Sequence, residues 1–270
     1  VTKPRRPRRG TSFLIHARPG SGKSTLLLSL PKPALIVDAE AGDFDGLATI
    51  EGLADVDVRS WEEYEDDPTI LTPNTVVIID CEEYSDYQLG LREIREDRDR
   101  KWKGFGLDTI TRIQAKMEEE LEPLERKMLR ARRGGYDHYK AMLDYMRADL
   151  EWLHEQTIRR GLVTAWACQT NEEMVPLHPR LVGQLRQSIP DIPDIVGFLR
   201  VEEGTDEEGH HVRWRELDIA SAEGALATAK CRRRHVANHY GDTVPNPNLA
   251  QIAAVASPRK INTRKEDING

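Results

Sequence analysis

The segment Gly20-Ser21-Gly22-Lys23-Ser24-Thr25 lies between Phe13-Leu14-Ile15 and Leu26-Leu27-Leu28, and no other stretch constrains the chain as much. An apolar run, a glycine-rich turn and a second apolar run predict a strand, a loop and a helix. In that unit, backbone N–H groups freed by glycines close around phosphate oxygens. Gly20 and Gly22 supply the backbone freedom, and Lys23 sets a point charge against β- and γ-oxygens. Ser24 offers a hydroxyl to Mg²⁺, with Thr25 beside it. The following helix adds the positive end of its dipole. These six residues are the candidate ATP site, with Mg²⁺ as the expected companion. Ala17 stands where the full pattern has a glycine, a small residue in place of a smaller one.

The rest of the chain alternates short apolar runs with longer amphipathic ones, which predicts an α/β fold with a mostly parallel central sheet flanked by helices. Expected strands are 12–16, 34–37, 76–79, 105–107 and 162–167. After Asp108, the residues Ile110, Ile113, Met117, Leu121, Leu124 and Met128 advance by threes and fours, giving a helix with one buried stripe. Pro123 is expected to kink or split it. A second helix is expected over 137–156, with Tyr139, Met142, Met146, Leu150 and Leu153 on one face, set off by Gly134-Gly135. Residues 171–194 carry four prolines and little periodicity, the texture of a long loop or lid. Beyond them, 195–201 and 211–217 flank an acidic turn and predict a C-terminal antiparallel hairpin. A last strand is expected over 225–230 and a short helix over 248–255.

The 270 residues suit one large domain. The expected division is a basic arm without fixed structure at 1–10, a P-loop domain at 11–256 and a polar tail at 257–270. No apolar run approaches the roughly 20 residues that span a bilayer, and no long apolar stretch follows the charged start. Three scattered cysteines lack metal-ligand spacing and fit reduced thiols. The expectation is a cytoplasmic protein with no membrane partner. A net charge of −7 does not advertise nucleic-acid binding over the whole surface, yet basic clusters occur at 3–9, 130–133 and 230–234.

Hydrolysis needs an acid on the Mg²⁺ side and a group that orients the attacking water. Asp80 ends the apolar run Val76–Ile79, and Asp108 ends Phe105-Gly106-Leu107 before Thr109-Ile110-Thr111. Apolarity favours Asp80, while the Asp-Thr-x-Thr run and the long helix favour Asp108. In an open α/β sheet, ligands lie outside the carboxyl ends of the strands. Asp38, Glu40, Asp108 and Gln169 are all expected to emerge there.

Three segments in order resemble the RecA-like ATPase core, and more closely the phage nucleotide-binding proteins of the Sak-type annealing ATPases. They are Phe13–Thr25 running into Pro33–Gly42, Leu107–Thr111 with its helix, and Val163–Thr170 followed by Leu181-Val182-Gly183 and Pro193–Gly197. With Lys230-Cys231-Arg232 the resemblance covers roughly 12–235. It implies a RecA-like P-loop NTPase core that binds and hydrolyses ATP, acts in phage-type DNA recombination or annealing, and assembles as a homo-oligomer on single-stranded DNA. It implies Glu40 as the glutamate that orients water, Asp108 as the Mg²⁺-side aspartate and Gln169 as the γ-phosphate sensor. Lys230 and Arg232 resemble the cations that related assemblies project into a neighbour's site; they read equally as a basic strand end. The strand-like insertion Val76–Asp80 departs from the family pattern, so Asp80 and Asp108 both stay candidates.

For single-stranded DNA the candidates are Arg130, Arg132, Arg133 and Tyr136 around Gly134-Gly135, together with Arg180 and Arg186 beyond Gln169. Basic tracks with stacking rings bind such strands, although aromatics are only 6% of the chain, which keeps stacking support thin. Two other functions fit a P-loop: a nucleoside or small-molecule kinase with 171–194 as its lid, and a module in which ATP only switches assembly.

Overall fold

Strands covered on both faces read as unbroken apolar runs, and the five expected runs all become strands of one sheet. The structure, a computed structural model, describes residues 9–41, 44, 55–129, 135–174, 176–181, 185–205, 209–221 and 227–257; for 121–129 and 135–142 it describes the backbone alone. In chain order the strands are β1 (Ser12–Ala17), β2 (Ala34–Asp38), β3 (Asp57–Ser60), β4 (Thr75–Asp80), β5 (Gly104–Asp108), β6 (Val163–Asn171), β7 (His178–Pro179), β8 (Ile195–Thr205), β9 (His211–Asp218), β10 (Lys230–Cys231) and β11 (Thr243–Pro245). The helices are α1 (Lys23–Leu27), α2 (Trp61–Asp66), α3 (Tyr84–Glu96), α4 (Ile110–Leu129), α5 (Gly135–Arg160), α6 (Leu185–Ser188), α7 (Arg234–Tyr240) and α8 (Leu249–Ala256).

Among the described residues the sheet order is β11-β9-β8-β1-β6-β5-β2-β4-β3, with β10 paired to β8 and β7 to β6. Neighbours from β8 through to β3 run parallel. The strands β7, β9, β10 and β11 pair antiparallel, so the sheet is mixed. Every residue of β1, β2 and β5 is buried. One face packs against α3, α4 and α5 through Leu91, Ile94, Ile113, Met117, Leu150 and Leu153. The other packs against α1, α7 and α8 through Leu26, Leu27, Val236, Leu249 and Ile252. Each such side chain, fully buried, stabilises the fold by about 2 kcal/mol. The expected helical stripes are present where side chains are described: Ile110, Ile113 and Met117 on α4, and Met146, Leu150 and Leu153 on α5.

Several expectations need correction. The segment 171–194 is not a lid of loop. Asn171 continues β6, His178–Pro179 pairs back onto it, and α6 and a 3₁₀ turn at Ile189–Asp191 follow. Buried Leu177, Leu185 and Ile189 anchor this stretch despite its prolines. The helix α4 runs through Pro123 as one element. The hairpin β8–β9 is longer than expected, and of the elements after it α7 and β11 were not expected, whereas α8 matches the helix expected over 248–255. Of the strand expected over 225–230, residues 225 and 226 lie outside the described residues, Ala227 makes an isolated parallel bridge to Leu177, and pairing with β8 begins at Lys230. The unforeseen helix α2 has a sequence-legible start: Ser60 Oγ accepts from Glu63 N at 3.3 Å while Ser60 N donates to Glu63 Oε2 at 3.0 Å, the reciprocal cap of a Ser-x-x-Glu start. Of the expected arm at 1–10 and tail at 257–270, residues 1–8 and 258–270 lie outside the described residues, while Gly10 is buried and donates from its N to Thr157 O at 2.7 Å.

One buried polar residue ties the P-loop strand to its surroundings. His16 is fully buried on β1, its Nε2 2.7 Å from Thr228 O and its Nδ1 3.2 Å from Thr170 Oγ1. A carbonyl only accepts, so Nε2 carries the proton and Nδ1 accepts from the threonine hydroxyl. Burial lowers its pKa from 6.5 to about 4, with nearby His178 adding to the effect against the opposing Thr228 hydrogen bond. The unfolded chain therefore binds a proton on His16 between those values while the folded chain does not. The stability contributed by neutral His16 is full above pH 6.5 and is lost as pH falls toward 4. Between pH 7 and pH 5, wild type is expected to lose about 2 kcal/mol more unfolding free energy than His16→Gln. Urea titrations at the two pH values measure it; parallel losses would refute it.

Candidate functional site

The parallel strands deliver the site residues to one edge of the sheet, because each leaves the core at its carboxyl end. Ala17 ends β1, and the chain turns through exposed Arg18, Pro19 and Gly20 into α1. Gly20 and Gly22 have φ of 74° and 86°, the region that favours glycine, and Gly22 caps α1 in that conformation. Ala17 itself is buried in β1, opposite Gln169 and Leu199. Extended backbone there demands no positive φ, so the departure from glycine is accommodated. Lys23 is only 7% exposed.

Asp108 ends β5, two places from β1 in the sheet, with β6 between them. Ser24 Oγ donates to Asp108 Oδ2 at 2.5 Å. The other oxygen, Oδ1, is buried and has no hydrogen-bond partner among the described residues. Burial pushes the Asp108 carboxyl up to about 7, the hydrogen bond from Ser24 opposes this, and the charges of Asp38 and Glu40 add to the rise. The Lys23 ammonium also favours the carboxylate, but by less than burial disfavours it. The pairing of a serine hydroxyl with an unsatisfied carboxylate oxygen fits Mg²⁺, which takes one or two protein ligands and completes its shell with phosphate oxygens and water. Asp80 sits exposed at the end of β4, four places from β1. At about 4.8 Å per strand that is about 19 Å away.

Glu40 follows β2. Its Oε1 accepts from Gln169 Nε2 at 2.8 Å and from Thr109 Oγ1 at 3.0 Å, and its backbone N donates to Asp38 Oδ1 at 2.9 Å. Two donors on one oxygen fix the carboxylate and leave Oε2 for another partner. Beside it lies a cleft of about 290 Å³ lined by Glu40, Arg112, Lys116, Glu119 and Gln169. Gln169 also borders a second cleft of about 300 Å³ with Thr170, Asn171, Glu172 and Arg180. It lies inside β6 rather than beyond its end, and Gln169 O accepts from Arg180 N at 2.6 Å. A change at Glu40 is thus one hydrogen bond from Gln169 and two from Arg180.

The other sequence candidates lie elsewhere. Lys230 and Arg232 are not brought to their own P-loop. Lys230 pairs with Val196 of β8, which sits opposite Leu14 rather than Ala17, so the pair stands toward the far end of β1. There Asp191 holds both: Lys230 Nζ is 2.7 Å and Arg232 Nη2 3.3 Å from Asp191 Oδ1. Arg186 on α6 donates to Met174 Sδ at 3.2 Å. Arg130, Arg132 and Arg133 lie outside the described residues, as does the side chain of Tyr136 in α5.

Two contributors escaped the sequence reading. Thr109 fixes Glu40 and belongs to the Asp-Thr-x-Thr run already noted, so its position was legible but its partner was not. Arg215 on β9 donates from Nε to Ser21 O at 3.3 Å; it comes from the far hairpin and has no local signal.

Among the described residues, no helix is long and apolar enough to cross a membrane. No curated protein matches the chain. A KaiC-like protein from the hyperthermophilic archaeon Pyrococcus horikoshii is similar at 17% identity and a TM-score of 0.41, over 82% of this chain and 83% of that one. The family model described as an AAA domain matches residues 9–232. With that match spanning β1, the P-loop and every strand that borders it, the chain belongs to the AAA-domain family of nucleotide-binding P-loop proteins.

Proposed function

We propose that this AAA-domain chain is a RecA-like ATPase of the Sak-type annealing group, hydrolysing ATP as a homo-oligomer on single-stranded DNA. The observation that carries the reading is the hydrogen bond from Gln169 Nε2 to Glu40 Oε1 at 2.8 Å. It joins a group suited to activating water to a strand that borders a cleft where Arg180 stands with Glu172 and Glu173. A kinase would need a mobile lid, and the anchored segment 171–194 speaks against one.

In this reading Lys23 holds the β- and γ-oxygens, and Ser24 with Asp108 would hold Mg²⁺, which would supply positive charge against the phosphates. Glu40 accepts a proton from water as its oxygen attacks the γ-phosphorus. The bond from that phosphorus to the bridging oxygen breaks, and ADP and phosphate leave. Gln169 would report the loss of the γ-phosphate to Thr170 and Arg180. The location of Lys230 and Arg232 at the far end of β1 supports a role in a neighbour's site rather than their own. There they would offset charge developing on the γ-phosphate.

Phosphate release measured with and without single-stranded DNA tests the reading. A severalfold rise with DNA, together with nucleotide-dependent growth in particle size, is the expected result. Turnover that ignores DNA refutes the DNA assignment, and transfer of labelled γ-phosphate to a nucleoside refutes hydrolysis.

A further inference from the structure

The hairpin β8–β9 carries three arginines whose surroundings differ. Arg200 pairs with Asp218 at 3.0 Å and also with Glu202 and Glu216. Arg213 pairs with Glu203 at 2.9 Å. Arg215 has no carboxylate partner among the described residues, and Val201 is its neighbour across the ladder. It is half-buried and lies against the P-loop, where a Cβ placed on Gly22 would collide with its guanidinium.

A guanidinium stays charged at any ordinary pH and carries five N–H donors. Arg215 directs one of them, Nε–H, to Ser21 O. The remaining four are borne by Nη1 and Nη2 at the end of the fork. This cation also stands beside a loop that already holds the buried ammonium of Lys23. Two cations on one loop, one of them without a carboxylate, are stable together when an anion lies between or beside them. An arginine fork matches phosphate oxygens in geometry as well as charge.

The sheet order says which phosphate. Asp108, Glu40 and Gln169 come from β5, the end of β2 and β6, all on one side of β1. Arg215 comes from β9, two places away on the opposite side, beyond β8. A nucleotide laid across the loop with its γ-phosphate toward Glu40 has its α-phosphate and nucleoside toward β8 and β9. A cleft of about 370 Å³ runs there, lined by Arg18, Gly20, Ser21, Leu199, Val201 and Arg213.

We infer that Arg215 is a nucleotide-binding residue, contacting from within the same chain the α-phosphate end of the diphosphate shared by ADP and ATP. The inference rests on the P-loop binding nucleotide. Arg215 differs from the expected cations Lys230 and Arg232 in needing no second subunit.

The test measures dissociation constants of fluorescent ADP and ATP for wild type, Arg215→Gln, Arg215→Lys and Lys23→Ala, with nucleotide-free melting temperatures for each. Losing a hydrogen-bonded charge is expected to weaken ADP and ATP alike, by about tenfold or more in Arg215→Gln. Arg215→Lys, which keeps the charge and loses the Ser21 contact, is expected to fall between Gln and wild type. Affinities unchanged in Arg215→Gln, while Lys23→Ala loses binding, would overturn the role of Arg215 and leave the P-loop reading intact. A lysine variant as weak as the glutamine variant, with both melting early, would also overturn it, showing a brace for the loop rather than a ligand. If wild type binds neither nucleotide, the P-loop reading fails and this inference fails with it.

Discussion

Glu40→Gln is expected to lower ATP turnover by about 10²- to 10⁴-fold while ATP affinity stays close to that of wild type. The substitution keeps the shape of the side chain and an oxygen that accepts from Gln169 Nε2 and Thr109 Oγ1, the two hydrogen bonds that hold Glu40 in place. It removes the ability to accept a proton from water. A carboxylate gripped through one oxygen and open at the other is built for that task, so the loss belongs in turnover and not in binding. Phosphate release at saturating ATP, set beside nucleotide binding, separates the two. Full turnover in this variant would remove Glu40 from the reaction and with it the reading built on the Gln169 contact.

Lys23→Ala is expected to weaken ATP binding by about 10²-fold, since a hydrogen bond to a charged group contributes about 1.5–3 kcal/mol net. The ammonium is almost wholly buried, and its charge favours the ionised form of Asp108. Removing it leaves Asp38, Glu40 and Asp108 near one another without that cation, which pushes the Asp108 carboxyl further up. The variant therefore loses the charge on phosphate directly and holds a metal less readily. Titration with ATP in the presence and absence of Mg²⁺ measures both effects. Wild-type affinity in Lys23→Ala would place the nucleotide away from this loop.

The two variants bear on different parts of the site, and those parts were legible to different degrees. The P-loop stands in six consecutive residues, and glycine at positive φ is a local demand that any reader of sequence can see. Ala17 looked irregular there, yet buried extended backbone at that position asks nothing of glycine. The stripe of α4 was legible for the same local reason: Ile110, Ile113 and Met117 recur at helical spacing and all are buried. The 171–194 segment misled because prolines and weak periodicity suggest loop, whereas Leu177, Leu185 and Ile189 tie it to the core at intervals that no periodic pattern reveals.

Asp80 and Asp108 show where local reading stops. Each ends a buried parallel strand, and each lies in register with Asp38 on the same central strand. What distinguishes them is the order β1-β6-β5-β2-β4, which brings Asp108 to Ser24 and holds Asp80 four places away. Strand order depends on which crossovers pack best over the whole sheet, and no short window encodes it. The same holds for Arg215, 194 positions beyond Ser21, whose carbonyl it touches. The sequence by itself determined that this chain has a phosphate loop between a strand and a helix, because glycine freedom and apolar runs act over a few residues. Only the tertiary structure decided which acid and which arginine stand around that loop, because their partners are chosen by sheet order and register.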